Sequence, residues 1–331
     1  MQSSHSAYST STYRNIFKME NDEEIQYADQ LIRALHTLNP QLAPFESTHP
    51  FSSLIAGGLA AAKDLIDLIE TSIDQKRFDA LDALAHIYLH GGAQLEDIAR
   101  LKKLIKQEKD PHFIAAIAKC IAISGDENFL LEQMQKLSDE DPGVVAAAAV
   151  LLGFGAYEPA LPALIALVSP SRFFESACVI WALGEIGSSA ALPVLEHAAR
   201  EGFRTCDCLI AMGKIGSLTS IPHLTPFILS GLPNQIEAAY HALSMILHRH
   251  QDTPTLLHIL GDELMGLVKN QLQSADKTIS IATRFYMVLC LARMGQKLEK
   301  NQLRRYLGIE LDENETGQLA SFFMKRESYK N

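Results

Sequence analysis

The chain has 331 residues, 47% of them hydrophobic and 21% charged, which is apolar enough for a sizeable core and excludes a wholly disordered chain. A formal net charge of −10 excludes a general electrostatic grip on nucleic acid, because phosphate neutralisation needs a basic face. Five cysteines, an odd number in a long chain, do not form the framework of a disulfide-stapled secreted domain, so reduced, mostly core thiols in a cytoplasmic protein are expected.

The N-terminus, MQSSHSAYSTSTYRN, lacks the apolar run of a Sec signal peptide. Residues 1–20 read as a disordered Ser/Thr-rich tail; a leader for a specialised secretion system is the other reading of such a tail. Residues 21–75 read as capping helices, Asp22–Leu38 and Phe51–Ile73, joined by a linker holding Pro40, Pro44 and Pro50. Next, Arg77–Gln107 forms a helix pair with a basic cluster at Arg100, Lys102, Lys103, Lys106 and Lys109. Leu101, Leu104 and Ile105 interleave with these charges and aromatics are absent, as on a half-buried, solvated helix.

The stretch DPGVVAAAAVLLGFGAYEPALPALIALV, Asp141 to Val168, carries a single charge after Asp141, at Glu158. Its uninterrupted part, Gly143 to Tyr157, makes about 22 Å of helix against a hydrocarbon core of roughly 30 Å. Extension crosses Gly153, Gly155, Glu158, Pro159 and Pro162. A membrane span is therefore not expected; helix packed on both sides by protein is.

Neighbouring segments repeat the plan. Ile117–Leu137, Val179–Ala199 and Leu209–Ile228 each read as an apolar helix, a glycine, a polar turn and a second amphipathic helix. The glycines Gly125, Gly155, Gly187 and Gly216 are spaced 30, 32 and 29 apart. Asp110-Pro111, Asp141-Pro142 and Ser169-Pro170, which cap and open the first helices, are spaced 31 and 28. Two unrelated markers keep one period, so the chain holds an internal repeat. The Asp or Ser accepts a hydrogen bond from an unpaired N–H of the first turn and proline fits there without loss, while glycine takes the positive φ that closes the helix. Second helices open on Pro159 or Pro162, Pro193 and Pro222. Neither helix buries its apolar face alone, and stacking of neighbours closes the core. Gln235–Leu272 and Thr278–Leu307 read as further, longer pairs, and residues 311–331 as a tail or capping helix.

The segment WALGEIGSSAALPVLEHA, Trp181–Ala198, resembles the short HEAT-like repeat named after phycobilisome lyases. The pattern is carried by Ala182, Leu183, Gly184, Ile186, Gly187, Ala191, Pro193 and Leu195, and again by Ala211, Met212, Gly213, Ile215, Gly216, Ile221, Pro222 and Leu224. It is fair in Val150–Leu167, through Gly155, Ala160, Pro162 and Leu164, and poor from Phe113 to Leu137. The resemblance implies an all-α, right-handed α–α superhelix, a HEAT-like solenoid of the armadillo type, over residues 76–310. It also implies a lyase-like or chaperone-like role on a chromophore-bearing protein as the alternative to a scaffold.

No catalytic constellation stands out. His241, His248, His250 and His258 are dense, but a metal centre wants converging ligands with a second shell, and none is evident. The His-Glu pairs of HEAT-like deoxyhypusine hydroxylases are missing. Cys206 and Cys208 point about 200° apart on a helix and read as packed thiols. Trp181 is the candidate anchor for a partner, since Trp is enriched in interface hot spots; the competing reading is a core position between repeats. Counted back from the marker glycines, its column holds Lys119, Ala149, Ile210 and, more loosely, His241, with Glu185 and Lys214 on the next exposed column. Glu196, His197, Arg200 and His223 on second helices are expected to face the concave side. The expectation is a non-catalytic scaffold or adaptor without cofactor or metal that binds a protein partner. It leaves room for homo-oligomerisation and for a role as effector or accessory protein of a bacterial secretion system.

Overall fold

Polar caps and prolines cut the chain into helices close to where the two markers fall. The computed structural model describes residues 57–72, 76–250, 254–274, 279–296 and 300–307; the expected helix Asp22–Leu38 and both expected tails lie outside them. Every regular element among the described residues is a helix. Those up to Ser217 belong to one compact unit and those from Leu218 to a second.

The first unit holds α1 (Leu59–Thr71), α2 (Lys76–Gly91), α3 (Leu95–Ile105), α4 (Pro111–Ile123), α5 (Glu127–Lys136), α6 (Pro142–Phe154), α7 (Leu161–Leu167), α8 (Phe173–Ile186), α9 (Leu192–Arg200) and α10 (Thr205–Ile215). The even-numbered helices form a file, α2 on α4, α4 on α6, α6 on α8 and α8 on α10. Each of α3, α5, α7 and α9 lies against the even helix that follows it, and α1 covers α2 and α3. This succession of helix pairs is an all-α solenoid. Within it α6 has 13 residues, and Val145, Ala148, Ala149 and Leu152 are buried. Packing by α4, α5 and α8 therefore accounts for its hydrophobicity, and among the described residues no single helix is long and apolar enough to cross a membrane.

First helices open as the markers predict. The carboxylates of Asp110 and Asp141 accept from the backbone N–H of His112 (2.9 Å) and Gly143 (2.7 Å). Ser169 does the same for Ser171 (3.4 Å), but Pro170 starts a 3₁₀ turn, Pro170–Arg172, ahead of α8. That extra turn explains why the proline spacing drops to 28 while Pro142 and Phe173, the first residues of α6 and α8, are 31 apart. Second helices α7 and α9 follow 3₁₀ turns, Glu158–Ala160 and Ser189–Ala191, and carry Pro162 and Pro193 in the first turn. By contrast α5 starts directly from Asp126, whose side chain accepts from Phe129 N–H at 2.9 Å. The poor pattern match from Phe113 to Leu137 reflects that different entry.

The glycine marker needs a correction. Gly125, Gly187 and Gly216 take φ of +74°, as a helix-closing residue requires. Gly155 does not: its φ is −81°, and Ala156 takes the left-handed conformation instead at φ 44°. Tyr157 N–H closes the turn on Leu152 C=O at 3.0 Å. Gly155 is small for another reason, since a Cβ there would lie 2.7 Å from Leu130 Cδ2 and 3.0 Å from the Ala122 carbonyl.

A different glycine position sets the spacing of the file. A Cβ on Gly153 would sit 2.9 Å from Ala182 Cα and 2.7 Å from the Trp181 ring, and one on Gly184 would sit 3.0 Å from Ala211 Cα. The Ala-Leu-Gly motif thus packs the glycine of one first helix on the alanine of the next, and bare backbone allows that approach.

In the second unit α11 (Ile221–Ser230) packs on α12 (Pro233–Arg249), and α12 on α14 (Ile281–Arg293). In turn α14 also contacts α13 (Pro254–Ser274) and α15 (Lys300–Leu307). Pro222 sits in the first turn of α11, and Ser280 caps α14 by accepting from Thr283 N–H at 3.0 Å. The longer helices α12 and α13 explain the longer period read in this part of the chain.

Candidate protein-binding surface

A ridge of rings and cations crosses successive first helices of the file. Lys119 on α4 reaches Asp82 on α2 at 3.4 Å and lies 5.5 Å from the centroid of the Phe154 ring on α6. Phe154 meets Trp181 on α8 edge to face, centroids 5.0 Å apart. On the far side Lys214 of α10 lies 5.2 Å from the Trp181 ring and is ion-paired with Glu185. Trp181 and Phe154 are half-buried, so part of each side chain stays exposed. Cation–aromatic contacts at such sites contribute about 0.5–1 kcal/mol each, a modest bias toward this arrangement.

Of the expected column through Trp181, Lys119 lies on this ridge, with Glu185 and Lys214 of the next column beside it, but Ala149 is fully buried. The reason is the misplaced marker. Counted back from Ala156, the residue that closes α6, the matching position is Val150, which is half-buried. The ring at this level of the ridge comes from Phe154, which glycine counting did not select. Ile210 is half-buried as expected of an apolar edge.

The other expected site residues are elsewhere. Glu196, His197 and Arg200 share α9, the first half-buried and the other two exposed. His223 is half-buried on α11 in the second unit. His241 does not reach the surface: it is 9% exposed and stacks on Tyr286 of α14, ring centroids 4.4 Å apart. The long helix α12 turns this histidine into the α12–α14 seam, so it serves packing.

Candidate chemistry elsewhere is absorbed by structure. Arg100 binds Asp67 and Glu70 at 2.6 and 2.7 Å, and Lys102 binds Asp126 at 2.6 Å, so the basic cluster is partly neutralised within the fold. Burial pushes the thiols of Cys120, Cys208 and Cys290 up to about 12, far from the thiolate that nucleophilic chemistry needs. Among the described residues no three His, Cys, Asp or Glu side chains converge as metal ligands; the side chain of His258 lies outside the described set. Exposed aromatics that the sequence reading passed over, Phe173 and Phe174, stand at the start of α8; their only signal was the replacement of Pro142-Gly143 in the preceding repeat by Phe-Phe.

Residues 128–204, from α5 to the turn before α10, match the family model described as HEAT repeats. None of the curated proteins matches the chain. The matched segment includes Phe154, Trp181 and Glu185, and over it the chain is similar to HEAT repeats.

Proposed function

We propose that the protein is a non-catalytic scaffold or adaptor that binds a protein partner through this ridge of its repeats. The observation that supports this most is the continuous row Lys119, Phe154, Trp181 and Lys214, contributed by four successive helices. Close glycine–alanine packing fixes those helices relative to one another, so the row is pre-organised and little conformational entropy is lost on binding. Aromatic anchors ringed by charged residues are the composition of interface hot spots. Proteins with HEAT repeats commonly mediate protein interactions, which fits the same reading. All five cysteines are free thiols, which goes with action in a reducing compartment such as the cytoplasm.

Affinity capture with the full chain tests the proposal. Trp181→Ala and the double variant Lys119→Glu/Lys214→Glu are each compared with wild type, with circular dichroism reporting that helix content is kept. The partner's recovery should fall about thirty-fold or more with the Trp change, the scale of a hot spot. Unchanged recovery with both folded variants would falsify the ridge as the binding surface. The alternative, a bilin-directed role, rests on the resemblance of Trp181–Ala198 to the repeat named after phycobilisome lyases and predicts an absorbance change when the protein is mixed with a free bilin.

A further inference from the structure

We propose that His86 and His90 form a two-histidine site for a divalent transition-metal ion, with zinc as its representative, at the C-terminal end of α2. The inference rests on this pair of side chains and not on the function proposed above.

Both histidines lie in the second half of α2, Lys76–Gly91. Side chains four residues apart on a helix stand on one face, one turn above the other. Here the two rings meet with centroids 4.6 Å apart and planes inclined by 62°. His86 is half-buried, which restricts its ring, whereas His90 is exposed and turns at little cost to packing. A shared ion takes one nitrogen from each ring at about 2.0–2.1 Å. Two histidines at this spacing on one helix are a recurrent way to hold zinc. Imidazole suits zinc, copper and nickel, while magnesium and calcium prefer oxygen, so the pair selects its ion by donor type.

The surroundings set the character of the site. Asp82 precedes His86 by one turn of α2, but Lys119 engages it at 3.4 Å, and among the described residues no third His, Cys, Asp or Glu converges on the pair. With two protein ligands, the remaining coordination positions go to water, unlike the closed four-ligand shell of a permanent structural zinc. The ion is therefore exchangeable. Approach from solvent is open, since Leu89 between the two histidines is 64% exposed.

The position on the helix favours a cation as well. His90 stands in the last turn of α2, where the negative end of the helix dipole attracts positive charge. Just beyond it, Gly92 takes φ +76° and its N–H closes on the Tyr88 carbonyl at 3.0 Å. Glycines weaken a helix end because they keep more freedom when it unwinds. An ion that ties His86 to His90 fastens this last turn, and binding to the folded chain alone stabilises it by mass action.

Zinc titration of the metal-free full chain by isothermal calorimetry decides the matter. The wild type should bind one equivalent that His86→Gln and His90→Gln each weaken at least about ten-fold, the least that loss of a supporting group around a metal costs, while circular dichroism shows helix content kept. Because His90 is exposed, its replacement leaves the packing of α2 alone. Zinc should also raise the unfolding midpoint of the wild type and do so less for His90→Gln, and magnesium at the same concentration should have neither effect. A wild type that takes up no zinc overturns the proposal. So do zinc isotherms that are the same for the wild type and folded His90→Gln, or a magnesium response equal to that of zinc, which would mean general attraction to an acidic chain.

Discussion

The pair α6–α7 and the pair α8–α9 follow one plan, yet they place their glycines for different physical reasons. In α8 the marker Gly187 closes the helix with φ +74° and meets nothing closer than the Glu185 carbonyl at 3.9 Å. In α6 the marker Gly155 is still helical, and it is the approach of Leu130 and Ala122 that leaves no room for a side chain. One residue type thus answers two constraints, backbone conformation in one repeat and space in the next. Gly153 and Gly184 show the shared element: at both, the following first helix comes within contact distance of the backbone.

Substitutions separate these constraints. The largest effect is expected at the shared position, where Gly153→Val forces a branched side chain against the backbone of α8. Chemical denaturation should show a loss of about 3 kcal/mol, at the top of the usual range for overpacking, and a loss below about 1 kcal/mol would mean that the file is not tightly spaced. Next comes Gly155→Ala, expected to cost about 1–2 kcal/mol through collision with Leu130 and the Ala122 carbonyl, with no help from replacement by Asn. At Gly187 the order reverses: Ala costs about 1 kcal/mol through its positive φ, and Asn, which tolerates that region, recovers part of it. Equal Ala and Asn behaviour at the two glycines would remove the distinction drawn between them. Asp141→Ala should cost about 1 kcal/mol by leaving the first turn of α6 uncapped, read as a shift in denaturation midpoint at unchanged slope. The smallest effect is a gain, since Ala156→Gly relieves a left-handed alanine at the end of α6 and should stabilise by about 0.5 kcal/mol after the entropy of glycine is set against it.

Periodicity made the repeat legible because each helix pair depends on its neighbours, and that dependence forces cap, glycine and proline to recur. It misplaced the ridge for the same reason that it misread Gly155. Because Ala156 and not Gly155 closes α6, counting back from the glycine lands on Ala149, one residue short of Val150, and gives no sign of Phe154. His241 failed differently: α12 is longer than the first helices before it, and the repeat frame no longer says which side of such a helix is covered. The basic cluster around Arg100 was legible as a helix face, but its partners Asp67 and Glu70 lie 33 and 30 residues away, beyond the reach of any local pattern.

From sequence alone came the helical character, the period, the caps at Asp110 and Asp141 and the protein-packed nature of the apolar stretch, because these follow from local backbone chemistry and from the need to bury apolar surface. Tertiary structure alone decided which glycine is bent and which is crowded, which ring stands beside Trp181, and that Phe173 and Phe174 face outward. Those outcomes depend on how close neighbouring helices come, and that distance is set jointly by residues about 30 positions apart in the chain.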